Sequence, residues 1–136
     1  MLTDLGLLAL RAALGVVFVG HGAQKAFGAF GGPGLEGTAG FIGNLGFRPA
    51  RVWAAVAAWG EFLAGVLFFL GLLTPLAGVL VVATMLVAIV KVHAPKGFFS
   101  QNGGYEYNLV LAITAVAVAL IGPGTLSLDH LLHLGR

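Results

Sequence analysis

The amino-acid sequence predicts an all-α membrane protein, an antiparallel bundle of four transmembrane helices built as a single domain over residues 1–136. Composition is the first reason: 59% of the residues are hydrophobic and only 9% are charged, whereas soluble domains need roughly 25% charged residues to solvate their surface. The placement of the charges is the second, because residues 62–90 and 107–128 contain no Asp, Glu, Lys or Arg. Each stretch is long enough to supply the about 20 apolar residues that cross a bilayer core of about 30 Å.

The four predicted spans are joined by connections of very different length. They cover residues 5–27, 52–72, 76–92 and 108–121. The N-terminal 20 residues resemble a secretory signal. No small-x-small cleavage site lies between them and Lys25, so we expect a retained helix. Only a short turn at Pro75 separates the second and third spans, and proline ends one helix and suits the first turn of the next. These two spans are therefore predicted to form an antiparallel hairpin.

The first connection, residues 28–51, is expected to contain a helix of its own. It begins with the glycine-rich segment GAFGGPG, whose irregular backbone cannot lie exposed to lipid. The segment LEGTAGFIGNLGF follows, with apolar residues spaced among small ones. We predict a short interfacial or re-entrant helix there, and a flexible loop is the alternative because glycine is so frequent.

The basic residues predict the orientation in the membrane. Five of them flank the two long connections: Lys25, Arg48, Arg51, Lys91 and Lys96. Arg11 and Arg136 are assigned to the opposite side, so the excess places the long connections in the cytoplasm. Since the basic residues form neither a run nor a helical stripe, nucleic acid is not an expected partner.

Glu61 is the first candidate functional residue, because it lies about nine residues inside the second span, or about 13 Å deep at 1.5 Å per residue. An ionisable group at that depth costs roughly 2.5 to 3.5 kcal/mol, so it normally faces the bundle interior and has a partner. His21 and Lys25 lie four residues apart on one face at the end of the first span. We predict that Glu61 faces inward and contacts this face, and a purely structural contact is the alternative.

Further polar residues gather at the same predicted end and are candidate ligand-binding residues: Gln24, Lys91, His93, Asn102, Tyr105 and Glu106. Structural explanations are open for two of them, since Tyr105 fits an interfacial aromatic belt and Glu106 suits the positive N-terminal end of a helix. No metal is assigned to the site. A metal remains an alternative, because His21, His93 and Glu61 supply the two-histidine, one-carboxylate set of non-haem iron.

Five motifs in series resemble the DoxX family over residues 7–129. They are HGAQKAFG, GPGLEGTAGF, WGEFLAGVLFFLGLLT, VHAPKGFFSQNGGYEYN and GPGTLSLD. The resemblance implies a multi-pass, four-helix protein of the inner membrane of a bacterium or archaeon, in a family named for a subunit of a terminal oxidase and thiosulfate:quinone oxidoreductase system. The motif positions of the family fall on polar residues already singled out and on two glycines: His21, Lys25, Glu61, His93, Asn102, Gly103, Gly104, Tyr105 and Glu106.

Two classes of function follow. In the first, the chain is an accessory subunit of a quinone-linked oxidoreductase, and Glu61, His21 and Lys25 are catalytic residues that bind a quinone headgroup or relay its protons. Because the chain has no cysteine, it contains no thiol redox centre or cysteine-held cluster, so electrons would come from partner subunits or from the substrate. In the second, the chain is a non-enzymatic scaffold or small-molecule carrier. The expected partners are the lipid bilayer and oxidoreductase subunits, with a homo-oligomer left open.

Overall fold

The computed structural model describes residues 1–134, and the regular elements in this part of the chain are all helices, without strands. The six α-helices are α1 (Leu2–Phe27), α2 (Gly34–Asn44), α3 (Ala50–Leu70), α4 (Thr74–Ala88), α5 (Glu106–Ile121) and α6 (Leu128–Leu131). A π-helical turn, Ile89–His93, and a short 3-10 turn, Ala94–Lys96, prolong α4. The all-α prediction is therefore confirmed.

Three helices are long and apolar enough to cross a membrane: Leu2–Phe27, Ala50–Leu70 and Thr74–Lys96. They coincide with the first three predicted spans. The fourth predicted span corresponds to α5, which is apolar but has only 16 residues. The protein is thus a membrane protein with three helices of spanning length, and the four-span antiparallel bundle stays a prediction.

Four helices contribute to one hydrophobic core, which supports that prediction. Each of these helices has at least one side chain in almost complete enclosure: Phe18 in α1, Phe68 in α3, Val81 in α4 and Val118 in α5. Since lipid tails are as apolar as these side chains, helices in a membrane are held together by close packing rather than by exclusion from water. The shared core therefore depends on how closely the helices approach one another.

The closest approach is between α1 and α3, and glycines make it possible. A Cβ atom built on Gly22 would lie 2.5 Å from the backbone nitrogen of Phe62. One built on Gly65 would collide with the backbone of Val19. These contacts bring the C-terminal turn of α1 against the middle of α3, where Glu61 lies.

The first connection contains the helix predicted there, since α2 spans Gly34–Asn44 and packs against α3 and α1. Gly28, with a φ of 71°, ends α1 in the left-handed conformation that glycine adopts without strain. The flexible-loop alternative is wrong, because residues 34–44 are helical. The interfacial or re-entrant position of α2 stays a prediction.

The opposite end of the molecule is closed by buried polar side chains. Arg11, only 1% exposed, donates to the backbone carbonyls of Phe68 at 3.2 Å, Pro123 at 2.6 Å and Leu126 at 3.0 Å. These hydrogen bonds hold α1 against the end of α3 and the segment after α5. Because its side chain is held inside the protein, Arg11 does not report the orientation through the charge rule. Arg136 lies outside the described residues.

Candidate functional site

Lys25 and Glu61 form an ion pair between α1 and α3. Lys25 Nζ donates to Glu61 Oε1 over 2.6 Å. Glu61 is only 4% exposed, whereas 31% of the Lys25 side chain remains accessible. The structure thus places Glu61 inward and against Lys25, as expected from the sequence. The catalytic roles assigned to both residues stay predictions.

The ion pair lies in the wall of a cavity of about 320 Å³ between α2, α3 and α4. The wall is otherwise almost entirely apolar or aromatic: Thr38, Phe41, Ile42, Leu45, Phe47, Trp53, Val56, Ala57, Ala83, Thr84, Val87, Ala88, Lys91 and Val92 complete it. Ligand pockets in proteins typically have about 300–1,000 Å³ and a few polar groups in an apolar lining. The cavity therefore has the size and character of a site for a small, mostly apolar molecule.

The cavity opens sideways between the helices. Phe41, Val56 and Val87 line it and are each about half exposed on the outer surface. Lys91 lies at one side, with its Nζ atom 5.8 Å from the centre of the Phe47 ring. A cation at that distance is attracted to the face of an aromatic ring.

His21 is not part of this ion pair. Its side chain is exposed, its ring centre lies 6.4 Å from that of Tyr107 in α5, and within residues 1–134 it makes no hydrogen bond to Glu61. At about 100° per residue, Lys25 is about 20° from the buried Phe18 around the axis of α1, whereas His21 is about 60° away. The predicted contact of Glu61 with this face of α1 is therefore made by Lys25, whereas His21 lies beside Tyr107 of α5.

Three of the remaining candidates lie in the connection between α4 and α5 or at its ends: His93, Tyr105 and Glu106. His93 Nδ1 is 2.7 Å from the carbonyl oxygen of Gly103. Glu106 accepts hydrogen bonds from the backbone N–H and the hydroxyl of Ser100, both at 2.8 Å. The aromatic ring of Tyr105 packs edge-on against Phe98. These contacts fold the connection on itself, so they give His93, Tyr105 and Glu106 a structural explanation.

Two further candidates have weaker local contacts. Gln24 donates to the carbonyl of Phe30 at a long 3.5 Å, and Asn102 is exposed in a 3-10 turn. Neither lines the cavity, and of the six predicted ligand-binding residues only Lys91 does. Their predicted binding roles stay predictions.

The proposed iron ligands do not come together. Among residues 1–134, no three His, Cys, Asp or Glu side chains are grouped closely enough to hold a metal ion. His21 faces Tyr107, His93 faces Gly103, and Glu61 faces Lys25. The alternative of a two-histidine, one-carboxylate site is not supported by this geometry.

The sequence analysis missed a second buried carboxylate, Asp129. Its Oδ1 atom accepts from the backbone N–H of Leu73 at 2.7 Å, and its Oδ2 atom accepts from Thr74 N at 3.0 Å and Thr74 Oγ1 at 2.7 Å. Asp129 therefore ties α6 to the turn between α3 and α4. The signal was available in part, because Asp129 is an isolated charge at the edge of an apolar segment and Arg11 is one inside the first predicted span.

Comparison with known proteins identifies a family and a relative of this chain. The family model described as DoxX matches residues 6–94, which include Lys25, Glu61 and Lys91. A protein of Bacillus subtilis (strain 168) named "Putative oxidoreductase CatD" is 35% identical over 133 residues, covering 98% of this chain and 91% of that protein. No solved structure matches the chain.

Proposed function

This chain belongs to the DoxX family of membrane proteins, and from that premise we propose that it is an accessory subunit of a quinone-linked membrane oxidoreductase. In this proposal the cavity between α2, α3 and α4 binds the quinone headgroup. The observation that carries the proposal is the Lys25–Glu61 ion pair in the wall of an apolar cavity of about 320 Å³. The similar Bacillus subtilis protein has the word oxidoreductase in its name, which favours this class of function over a scaffold.

The chemistry of the cavity suits a quinone headgroup. Such a ring is flat and mostly apolar, and its two oxygens accept hydrogen bonds. An ammonium group has three N–H donors, and Lys25 directs one of them to Glu61. Another is available for a ring oxygen, while aromatic side chains such as Trp53 and Phe47 supply apolar surface. The isoprenoid tail would leave through the lateral opening beside Val56.

The chain's own residues would hold and orient the ring rather than carry electrons. The sequence contains no cysteine, so partner subunits of the complex would supply the redox centres. We place the protein in the plasma membrane of a prokaryote as a multi-pass subunit. His21, beside Tyr107 at the same end, is retained in the proposal as a residue that relays protons.

Binding of duroquinone to the protein purified in mild detergent tests the site. Of the two tryptophans, Trp53 lines the cavity and Trp59 does not, so saturable quenching of the Trp53 part of the fluorescence reports occupancy. Val56→Phe, which adds bulk inside the cavity, is expected to weaken binding about tenfold or more. Val52→Phe is the matched control, because Val52 lies one turn earlier on α3, is equally exposed and does not line the cavity.

Equal quenching by duroquinone in both variants would contradict the site, since it would show only partition into the detergent. The subunit role is tested separately by mass spectrometry of proteins and quinones that copurify with the chain. Copurified quinone without an oxidoreductase subunit would favour the carrier function instead.

A further inference from the structure

The carboxylate of Glu61 has one oxygen satisfied and one not. Oε1 accepts from Lys25, whereas Oε2 is fully buried and has no hydrogen-bond partner among the residues that the structure describes. Buried polar atoms in folded proteins are almost always hydrogen-bonded, and an exception calls for a specific explanation. Since Glu61 lines the cavity, that explanation is to be sought in the cavity.

The polar side chains of Thr38, Thr84 and Lys91 in the cavity wall make contacts with other groups. The hydroxyl of Thr38 donates to the carbonyl of Gly34 at 2.8 Å. The hydroxyl of Thr84 donates to the carbonyls of Leu80 and Val81, both at 3.0 Å. The ammonium group of Lys91 lies over the Phe47 ring. Lys25 apart, the remaining lining is apolar, so a molecule that occupies the cavity can supply the donor that Oε2 lacks.

We infer that the occupant donates an O–H hydrogen bond to Glu61 Oε2, so that the cavity binds the hydroquinone form of a ring in preference to the quinone form. The inference rests on the proposed function and adds the redox form that is recognised. Quinone oxygens only accept hydrogen bonds and cannot satisfy a carboxylate. Lys25 can donate to either form, so the discrimination depends on Oε2.

The wild-type protein in mild detergent, kept free of oxygen, is titrated with three ligands of the same ring. These are durohydroquinone, duroquinone and the dimethyl ether of durohydroquinone, which keeps the ring and both oxygens but has no O–H. The midpoint of Trp53 quenching gives each affinity, or displacement of bound duroquinone where a ligand quenches weakly. Durohydroquinone is expected to bind about tenfold more tightly than either of the others, as befits one hydrogen bond to a charged acceptor.

Glu61→Gln provides the sharper test, because it exchanges the acceptor for a donor. The ammonium group of Lys25 can only donate, so it holds the amide oxygen of the glutamine, and the NH₂ group takes the position of Oε2. The preference for durohydroquinone is then expected to be lost, because the oxygens of both ring forms can accept from an NH₂ group. A thermal melt in detergent establishes that the variant is folded.

The outcomes separate the two proposals. Equal affinities of wild-type protein for durohydroquinone and duroquinone would overturn the inference, while the ring site proposed above would stand. Absence of saturable binding of both ligands would overturn the ring site, and the inference with it. If Glu61→Gln does not fold, the comparison of durohydroquinone with its dimethyl ether and with duroquinone on the wild-type protein decides the matter alone.

Discussion

Glu61 and Asp129 are both buried carboxylates, and the hydrogen bonds that they accept distinguish them. Asp129 receives three from Leu73 and Thr74, shared over both of its oxygens. Glu61 receives one, from Lys25, and keeps a buried oxygen unpaired beside a cavity. A fully satisfied carboxylate stabilises the fold, whereas a half-satisfied one beside a cavity is suited to binding. The contacts of Asp129 are accordingly structural, and ligand recognition by Glu61 stays the proposal made above.

Asp129→Ala is expected to lower the free energy of unfolding by about 2–4 kcal/mol, because three donors lose their acceptor inside the protein. Thr74→Ala removes only one of these hydrogen bonds and is expected to cost about 1 kcal/mol. Thermal unfolding in detergent measures both effects. Duroquinone binding should be unchanged in either variant below its melting temperature, because the turn lies at the end opposite the cavity. Loss of binding in a folded Thr74→Ala variant would show that the functional end has been misplaced.

At the scale of the helices, the site depends on the close approach of α1 and α3. Lys25 reaches Glu61 only because Gly22 lets the two backbones touch. Hydropathy predicted the helices and the depth of Glu61, and the 3.6-residue period predicted a contact with α1. The period alone could not decide between Lys25 and His21, which differ by about 40° around the helix. In the structure Lys25 makes the ion pair, and the ring of His21 lies 6.4 Å from that of Tyr107 in α5.

Gly22→Ala is expected to destabilise the protein by about 1–3 kcal/mol, since its Cβ would lie 2.5 Å from Phe62 N and α1 would have to move away from α3. The movement should also lengthen the ion pair and weaken duroquinone binding. Gly20→Ala is the matched control on the same helix, because a Cβ at Gly20 meets nothing within 4 Å and alanine favours helix. Melting temperatures and binding midpoints are compared. If Gly22→Ala were as stable as Gly20→Ala, the close approach would not hold the site together.

At the scale of the whole molecule, the two ends of the bundle carry different polar groups. One end has the long connections and the cavity. It also has Lys25 and the other four basic residues from which the orientation is predicted: Arg48, Arg51, Lys91 and Lys96. The other is sealed by Arg11 and Asp129. Composition and charge spacing were sufficient to predict the helical membrane fold. The cavity was not predictable, because it depends on how α2 rests on α3 and α4, which neither hydropathy nor periodicity encodes.

α5 is shorter than the three helices of spanning length. Its 16 residues extend about 24 Å at 1.5 Å per residue, less than the about 30 Å of a typical hydrocarbon core. A short helix can still cross where the bilayer thins around it, at a cost of fractions of a kcal/mol per Å. Its packing against α4 and its share of the common core favour a crossing.

Single cysteines placed on either side of α5 test both the crossing and the orientation, since the chain has no cysteine of its own. Gln101→Cys lies before α5 and His130→Cys after it, and both residues are exposed. With the long connections in the cytoplasm, an impermeant maleimide should label His130→Cys in intact cells. It should label Gln101→Cys only after the membrane is opened. The reverse pattern would invert the orientation and keep four spans, whereas equal labelling of both in intact cells would mean that α5 does not cross. Arg11 is buried and so contributes nothing to the charge rule, which leaves the five basic residues of the long connections as the reason to expect the first result.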